Sequence, residues 1–277
     1  MALAALTLLA ACGQTEAAPP HGQDARPTIV SLNPCTDAVL AEIARPGQLL
    51  ALSHYSHDPA SSSMDVALAR RFPSVSGSVE EIAALSPDVV VASAFLAPST
   101  RSALNDLGIR VVTMPIATDV AQSEAQVREL AALSGNGEAG EQLVGRIELA
   151  LKNAVPPSGT PVMSALVWES SGIVAGDGTL IAELLRRTGF VNGAAARGLS
   201  QADYLPLERV ILHPPQVIFA VGDEQSEEDR MLRHPALAGL PGLRHAALDS
   251  SLLWCGGPTI PKALERLSEI RRRMTGS

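Results

Sequence analysis

The sequence has few basic residues and no run of them before the end of the chain. It contains 21 Lys and Arg against 29 Asp and Glu, which gives a formal net charge of −8. The first basic run is Arg271-Arg272-Arg273, at the end of a predicted final helix. Because phosphate backbones are bound mainly through clustered Lys and Arg side chains, this composition argues against a nucleic-acid-binding protein.

The sequence also lacks the short motifs that mark common enzymes. It contains no His-Glu-x-x-His zinc motif, no Gly-x-Ser-x-Gly nucleophile motif and no Walker phosphate loop. The segment Gly176 to Thr179 lacks the third glycine of a dinucleotide-binding loop, and it predicts a tight turn with Thr179 capping the next helix. We therefore expect no covalent chemistry and no intrinsic cofactor.

No hydrophobic run is long enough to span a bilayer, which takes about 20 apolar residues in a helix. The apolar run from Met1 to Ala11 leads directly into Cys12 in a pattern that resembles the bacterial lipobox. We predict that residues 1–12 are a signal peptide with Cys12 as the lipidation site, and that residues 13–27 form a flexible tether. The expected location is the periplasm or cell envelope. Ordinary cleavage near Ala17, with release of a soluble protein, is the alternative.

What the sequence does contain is an alternation of short apolar runs, rich in β-branched residues, with helix-like stretches. Strands are predicted at Thr28 to Leu32, Leu49 to Ser53, Asp88 to Ser93, Arg110 to Met114, Val162 to Trp168, Gln216 to Val221 and Leu248 to Trp254. In the second half, helices are predicted at Leu180 to Arg187 and Pro261 to Arg273. The alternation is typical of α/β proteins with parallel sheets.

The middle of the chain carries no strand signal. Between Asp119 and about Val155, apolar residues recur at helical spacing with an interruption at Ser134 to Gly137. We therefore predict an α/β fold of two Rossmann-like lobes with central parallel sheets. An N-terminal lobe of residues 28–118 and a C-terminal lobe of residues 158–277 are joined by a helical connector of residues 119–157.

Aromatic residues make up only 3% of the chain, so their positions are informative. Half of them follow or end predicted strands: Tyr55, Phe95, Trp168 and Trp254. Ligands of open α/β sheets gather at the carboxyl ends of strands, which predicts that these side chains line a cleft between the lobes. The alternative is that they fill the edge of a sheet, and for Phe95 the two interpretations weigh evenly.

The same strand ends carry polar and sulfur-containing residues. They are Asn33, Pro34, Cys35, His54, His57, Asp58 and Cys255. We predict that these residues contact a bound ligand. Imidazole and thiolate are good ligands for zinc, copper or iron, so His54, His57, Cys35 and Cys255 could form a soft metal site. The alternatives are that the histidines face solvent or bond to the backbone, and that the two cysteines pair or stay free.

One segment occurs twice in the sequence in similar form. Glu80 to Ala92 reads "EEIAALSPDVVVA", and Glu208 to Ala220 reads "ERVILHPPQVIFA". Each copy predicts a short helix, a Pro-marked turn and a buried strand, and each begins with an acidic residue. A first-turn Glu is favoured by the helix dipole, so part of the repetition follows from folding alone.

Together these segments resemble the class III substrate-binding proteins of ABC importers, the periplasmic receptors for cobalamin, siderophores and haem. The likeness covers nearly the whole mature chain, and it is carried by "IVSLNPCTDAVLAEI", "VEEIAALSPDVVVA", "LGIRVVTMP" and the connector. It implies that the connector is a long backbone helix, as in helical-backbone metal receptors. It also implies a monomer that binds a metal chelate between its lobes and delivers it to a dimeric inner-membrane permease.

In that family a Glu on each lobe docks into arginine-lined pockets of the two permease subunits. By position in the motif these residues are Glu80 and Glu208, whereas Glu81 has no acidic counterpart because Arg209 occupies the matching place. Two similar acidic groups suit a partner with two equivalent pockets, since carboxylate and guanidinium groups form bidentate pairs.

Cys35 and Cys255 depart from the family's usual pattern. A disulfide across the cleft would lock the lobes, so we expect reduced thiols that touch the cargo. The predicted cleft also lacks an Arg cluster for an anionic siderophore, Arg101 being the one candidate nearby, which favours cobalamin or haem. The alternatives are a receptor for a bare transition metal, a chelate-processing enzyme and a structural lipoprotein without cargo.

Overall fold

The computed structural model describes residues 26–169, 172–222 and 234–276. The predicted signal peptide, Cys12 and nearly all of the predicted tether lie outside the described residues.

The N-terminal lobe is built around a five-stranded sheet. Its strands are β1 (Ile29–Ser31), β2 (Leu49–Ser53), β3 (Ser74–Val75), β4 (Val89–Ser93) and β5 (Arg110–Met114), and its helices are α1 (Pro34–Ile43), α2 (Val66–Ala69), α3 (Val79–Leu85) and α4 (Pro98–Asp106). The strand order is β3-β2-β1-β4-β5, with every pairing parallel. The short, almost wholly apolar runs of β1 and β4 are buried at the centre, as parallel strands covered on both faces require.

The connector consists of two packed helices, α5 (Val120–Leu133) and α6 (Gly137–Ala154). The Asp119 side chain accepts a hydrogen bond from the Gln122 amide at 2.7 Å and begins α5. The break between the helices lies at the predicted interruption. Close packing of the pair needs Gly140, because a Cβ there would lie 2.4 Å from the Ala131 Cβ.

The C-terminal lobe has a mixed six-stranded sheet. Its strands are β6 (Met163–Trp168), β7 (Ile173–Val174), β8 (Phe190–Asn192), β9 (Asp203–Tyr204), β10 (Val217–Val221) and β11 (Arg244–Leu248), and its helices are α7 (Leu180–Arg187), α8 (Leu207–Leu212), α9 (Pro235–Ala238) and α10 (Thr259–Thr275). The order is β11-β10-β6-β7-β9, with β8 also pairing β6. The pairings of β6, β8, β10 and β11 are parallel, and those of β7 are antiparallel.

One predicted strand is wrong. Residues Arg244–Leu248 form the edge strand β11, and Ser250–Leu252, inside the predicted strand, form a single 3₁₀ turn. The Asp249 side chain accepts a hydrogen bond from the Ser251 amide at 2.8 Å and starts that turn. Most of β11 is not buried, so its sequence carries little of the apolar signal on which the prediction relied.

A single apolar cluster extends from one lobe to the other through the connector. It includes Leu40 of α1, Val127 of α5, Ile147 of α6 and Leu264 of α10, none of which is more than 1% exposed. Because such interiors are close-packed, the lobes are coupled by a shared core rather than by a loose hinge.

A disulfide also joins the lobes. Cys35 at the start of α1 is bonded to Cys255, which precedes α10, with a Cα–Cα distance of 5.0 Å and 220 residues between them in sequence. The expectation of reduced thiols is therefore wrong. The bond does not cross an open cleft, because this part of the C-terminal lobe already packs on the N-terminal lobe: the Thr259 hydroxyl donates to the Ser63 carbonyl at 3.3 Å.

A buried carboxyl group lies in the first turn of α1. Asp37 is fully buried, and its Oδ2 accepts hydrogen bonds from the Ser56 hydroxyl at 2.6 Å and the Ser53 amide at 3.1 Å. Burial raises the pKa of Asp37 from its usual 3.8 to about 8, although these hydrogen bonds act in the opposite direction.

This raised pKa predicts that Asp37 makes the fold less stable as pH rises. Between its unfolded pKa of 3.8 and its folded pKa of about 8, the folded state keeps the proton that the unfolded state loses. As pH rises through this range, the free energy of unfolding of the wild type should therefore fall, relative to that of Asp37→Asn, by up to about 1.4 kcal/mol per pH unit. Urea unfolding across this range measures the difference, with the exposed Asp106→Asn as the matched control. A difference that does not change with pH would contradict the assignment.

Candidate functional site

The main candidate site is a cavity of about 150 Å³ between the lobes. The N-terminal lobe contributes Ile116 and Thr118 from the loop after β5, and the C-terminal lobe contributes residues 169, 175, 178–181, 201, 202, 253 and 254. Most of these lining residues are apolar. The carboxyl ends of β5 and β6 meet here, as expected for ligand sites in open α/β sheets.

A second cavity of about 230 Å³ lies beside the first and also joins the lobes. Ala60 lines it from the N-terminal lobe, and Ile173, Val221 and Ser250 line it from the C-terminal lobe. Glu169 and Trp254 line both cavities. Each cavity is smaller than the roughly 300–1,000 Å³ of a typical small-molecule pocket, so each can hold only part of a larger ligand.

Trp254 is held in place by the residues on either side of it. Leu253 is buried, and Cys255 is fixed by the disulfide. Gly256 follows against Ser123, whose Oγ would lie 2.1 Å from an added Cβ, so only glycine fits. The anchored backbone presents the Trp254 side chain, which is 54% exposed, to both cavities.

Other large apolar side chains are exposed at or near the strand ends. Tyr55, in the 3₁₀ turn after β2, and Phe95, after β4, are 51% and 79% exposed. Ile116 and Tyr204, which sequence reasoning did not select, are also more than half exposed. Of these four residues, Ile116 lines the first cavity, whereas Tyr55, Phe95 and Tyr204 line neither cavity.

The prediction that Trp168 lines the cleft is wrong. It is fully buried, within an apolar cluster that includes Leu166, Val174 and Ile218. As the last residue of a central strand, its side chain points to the covered face of the sheet, and the next residue, Glu169, faces the cavities instead. Trp168 is therefore a core residue rather than a ligand contact.

The polar residues predicted to contact a ligand at the strand ends mainly form local hydrogen bonds that start helices and turns. The Asn33 side chain accepts a hydrogen bond from the Cys35 amide at 2.8 Å, and Pro34 is the first residue of α1. The Asp58 carboxylate accepts from the Ala60 amide and the Ser61 hydroxyl. Because helices and turns begin directly after these strands, such side chains are needed as caps.

The predicted metal site is not assembled, which corrects that prediction. Cys35 and Cys255 are consumed by the disulfide. His54 Nδ1 lies 3.3 Å from the Val75 carbonyl oxygen, and His57 Nε2 lies 3.1 Å from the Ala69 carbonyl oxygen. Across residues 26–169, 172–222 and 234–276, no three His, Cys, Asp or Glu side chains come together as a metal site would require.

Glu169 is the functional candidate that sequence reasoning missed. It is only 9% exposed, and burial raises the pKa of its carboxyl group to about 7. The signal available in the sequence was an acidic residue directly after a buried strand. Perturbed acids in cavities are candidates for functional roles.

Glu80 and Glu208 occupy equivalent places in the two lobes. Each lies exposed in the first turn of a short helix, α3 or α8, that leads into a buried strand, β4 or β10. The neighbouring Glu81 differs, because its carboxylate already accepts hydrogen bonds within the lobe, from the Ser76 amide and hydroxyl at 2.7 and 2.6 Å. The helix-then-strand reading of both copies of the repeated segment is confirmed.

Two α/β lobes with a shared core, and a mainly apolar cavity between them, define a two-lobed small-molecule binding protein. The chain belongs to the periplasmic binding protein family, whose model matches residues 29–247. The family expected from the sequence resemblance is thereby confirmed.

Solved structures share the fold over most of the chain. The periplasmic haem-binding protein RhuT from Roseiflexus sp. RS-1, in its apo form, is 20% identical with a TM-score of 0.72, covering 91% of this chain and 99% of that one. HutB of Vibrio cholerae, a periplasmic haem-binding protein, is 17% identical with a TM-score of 0.73, covering 88% and 98%. BtuF of Vibrio cholerae, a periplasmic vitamin B12-binding protein, is 20% identical with a TM-score of 0.65, covering 90% and 98%.

A search among curated proteins found no match to this chain. Within the described residues, no helix combines the length and the apolar character needed to cross a membrane.

Proposed function

We propose that this protein is the substrate-binding component of an ABC importer. It captures a metal chelate between its lobes and delivers it to a membrane permease. The observation that carries this proposal is the mainly apolar interlobe cavity, with the exposed Trp254 held rigidly at its wall. The proposed cargo is a corrinoid, a haem or a ferric siderophore.

The apolar surroundings of the cavities suit a chelate with a broad apolar face. Trp254 lines both cavities, and Tyr55, Phe95 and Tyr204 expose further aromatic surface at or just after the ends of strands. Aromatic side chains bury a large area at little cost in side-chain entropy, which makes them effective anchors. A bare transition metal is not favoured, because the predicted thiol ligands are joined in a disulfide.

Glu80 and Glu208 are the proposed docking residues that bind the permease. Both side chains are exposed, and neither is held by a hydrogen bond or ion pair to any described residue. One such group on each lobe fits a permease that offers two equivalent basic pockets to a monomeric receptor. Location in the periplasm, with an anchor at Cys12, completes this proposal, and the protein acts as a receptor rather than as an enzyme.

Truncating Trp254 should weaken cargo binding. In equilibrium titrations with cyanocobalamin, haemin and ferric siderophores, we expect one class to bind the wild type tightly. Trp254→Ala should raise its Kd by about thirtyfold or more, since losing a central aromatic anchor costs about 2 kcal/mol or more.

Leu149→Ala is the matched control, because Leu149 is similarly exposed, at 59%, but lies on α6 and lines neither cavity. Its Kd should equal that of the wild type. Failure of every cargo class to bind would overturn the proposed function, and equal losses in the two variants would overturn the role of Trp254.

A further inference from the structure

Glu169 is the charged residue of the binding site. Among the described residues that line the two interlobe cavities, it is the only one with a charged side chain. No described Lys, Arg or His lines either cavity, and Arg101, the candidate cation expected from the sequence, lies outside both. The electrostatic character of this part of the cleft is therefore negative when Glu169 is ionised.

The Glu169 carboxylate also lacks a partner among the described residues. The residue is 9% exposed, and no hydrogen bond or ion pair between described residues includes its carboxylate. The threonine hydroxyl groups in the cavity walls donate elsewhere: Thr179 Oγ1 donates to the Gly176 carbonyl at 2.7 Å and Thr118 Oγ1 to Gln122 Oε1 at 3.1 Å. A carboxylate that is largely shielded from solvent and has no donor from the protein is stabilised when a ligand supplies one.

We infer that Glu169 selects the cargo by charge. It accepts a hydrogen bond from a neutral amide or a cationic amine at the edge of the chelate, and it disfavours a chelate that places a carboxylate there. This inference rests on the proposed function, because it concerns the same site. The small volume of each cavity fits a peripheral group of the chelate rather than its metal centre.

The physical basis is the low polarity of the site. Like charges a few ångströms apart repel more strongly in a partly buried site than in water. A buried hydrogen-bond acceptor also discriminates against ligands that lack a donor group, because the acceptor is left unpaired when such a ligand binds. The raised pKa of Glu169, about 7, reports the same desolvation and sets the conditions of the test, because at pH 8 the carboxylate predominates.

Matched pairs of chelates that differ only in peripheral charge test the inference at pH 8. The pairs are haemin and its dimethyl ester, cyanocobalamin and its monocarboxylic acid, and a ferric hydroxamate with a free amine and its succinylated form. For the pair that binds, the wild type should bind the neutral or cationic member at least about tenfold more tightly. Glu169→Gln should reduce that ratio to less than about threefold, and Glu148→Gln, exposed on α6, should keep it.

The outcomes separate the two proposals. A wild type that prefers the acidic member, or a ratio that is equal in the wild type and Glu169→Gln, overturns the role of Glu169 and leaves the proposed function standing. The wild-type ratio is measured on the native protein, so the inference is tested even where the variant folds poorly. If no chelate of any pair binds, the proposed function fails and this inference falls with it.

Discussion

Reversing the charge of both docking residues, in Glu80→Lys/Glu208→Lys, should abolish cargo uptake in cells while leaving cargo affinity within about twofold of the wild type. The two side chains lie on α3 and α8, and neither residue lines an interlobe cavity. Placing two lysines against two basic pockets replaces attraction by repulsion, which costs several kcal/mol. Uptake of radiolabelled cargo, together with titration of the purified variant, measures both parts.

The control variant for this prediction is Glu129→Lys/Glu148→Lys. It changes the net charge by the same amount, at exposed positions of the connector helices α5 and α6. It should transport at the wild-type rate. The single variants Glu80→Lys and Glu208→Lys should each lose part of the uptake, because one carboxylate still engages. Unchanged uptake in the double variant would contradict the docking role.

Replacing both bonded cysteines, in Cys35→Ser/Cys255→Ser, should lower the free energy of unfolding by about 2–5 kcal/mol. The disulfide closes a loop of 220 residues, and long loops give the larger entropy losses in the unfolded chain. Cys255 is also buried, so the variant places a hydroxyl group in a tightly packed segment. Urea unfolding of the oxidised wild type and of the variant measures the difference.

Reduction supplies the matched experiment for the disulfide. Dithiothreitol should lower the midpoint of unfolding of the wild type toward that of Cys35→Ser/Cys255→Ser and should leave the variant unchanged. Equal midpoints for the oxidised wild type, the reduced wild type and the variant would show that the bond does not stabilise the fold.

Much of the fold was predictable because buried parallel strands carry a strong local signal. β2, β5 and α7 begin and end where predicted, and β1, β4, β6 and β10 do so within one residue. The short strands β3, β7, β8 and β9 were missed, since a strand of two or three residues has no periodicity to detect. β11 was misplaced because its edge position leaves most of its residues exposed.

The candidate site was predictable only in part, because cavities form between segments that are distant in sequence. Trp254 was expected at the cleft and lies there. Trp168 was expected there too, but it is buried in the core, and it is the next residue, Glu169, that lines the cavities. Alternation along a strand decides which face a side chain takes, and the sequence does not show which face is covered. The contact between Cys35 and Cys255 depends on how the segment before α10 lies against α1, where Gly257 approaches Val39, and no local pattern reports this approach.

The most direct test of cargo capture is the visible absorption spectrum of the purified protein after incubation with each chelate class and removal of free ligand. Corrinoids, haems and ferric siderophores are all coloured, so retained cargo is seen without a label. We predict that one class is retained at one chelate per chain and that Trp254→Ala loses it. Protein that stays colourless with all three classes would contradict the proposed function.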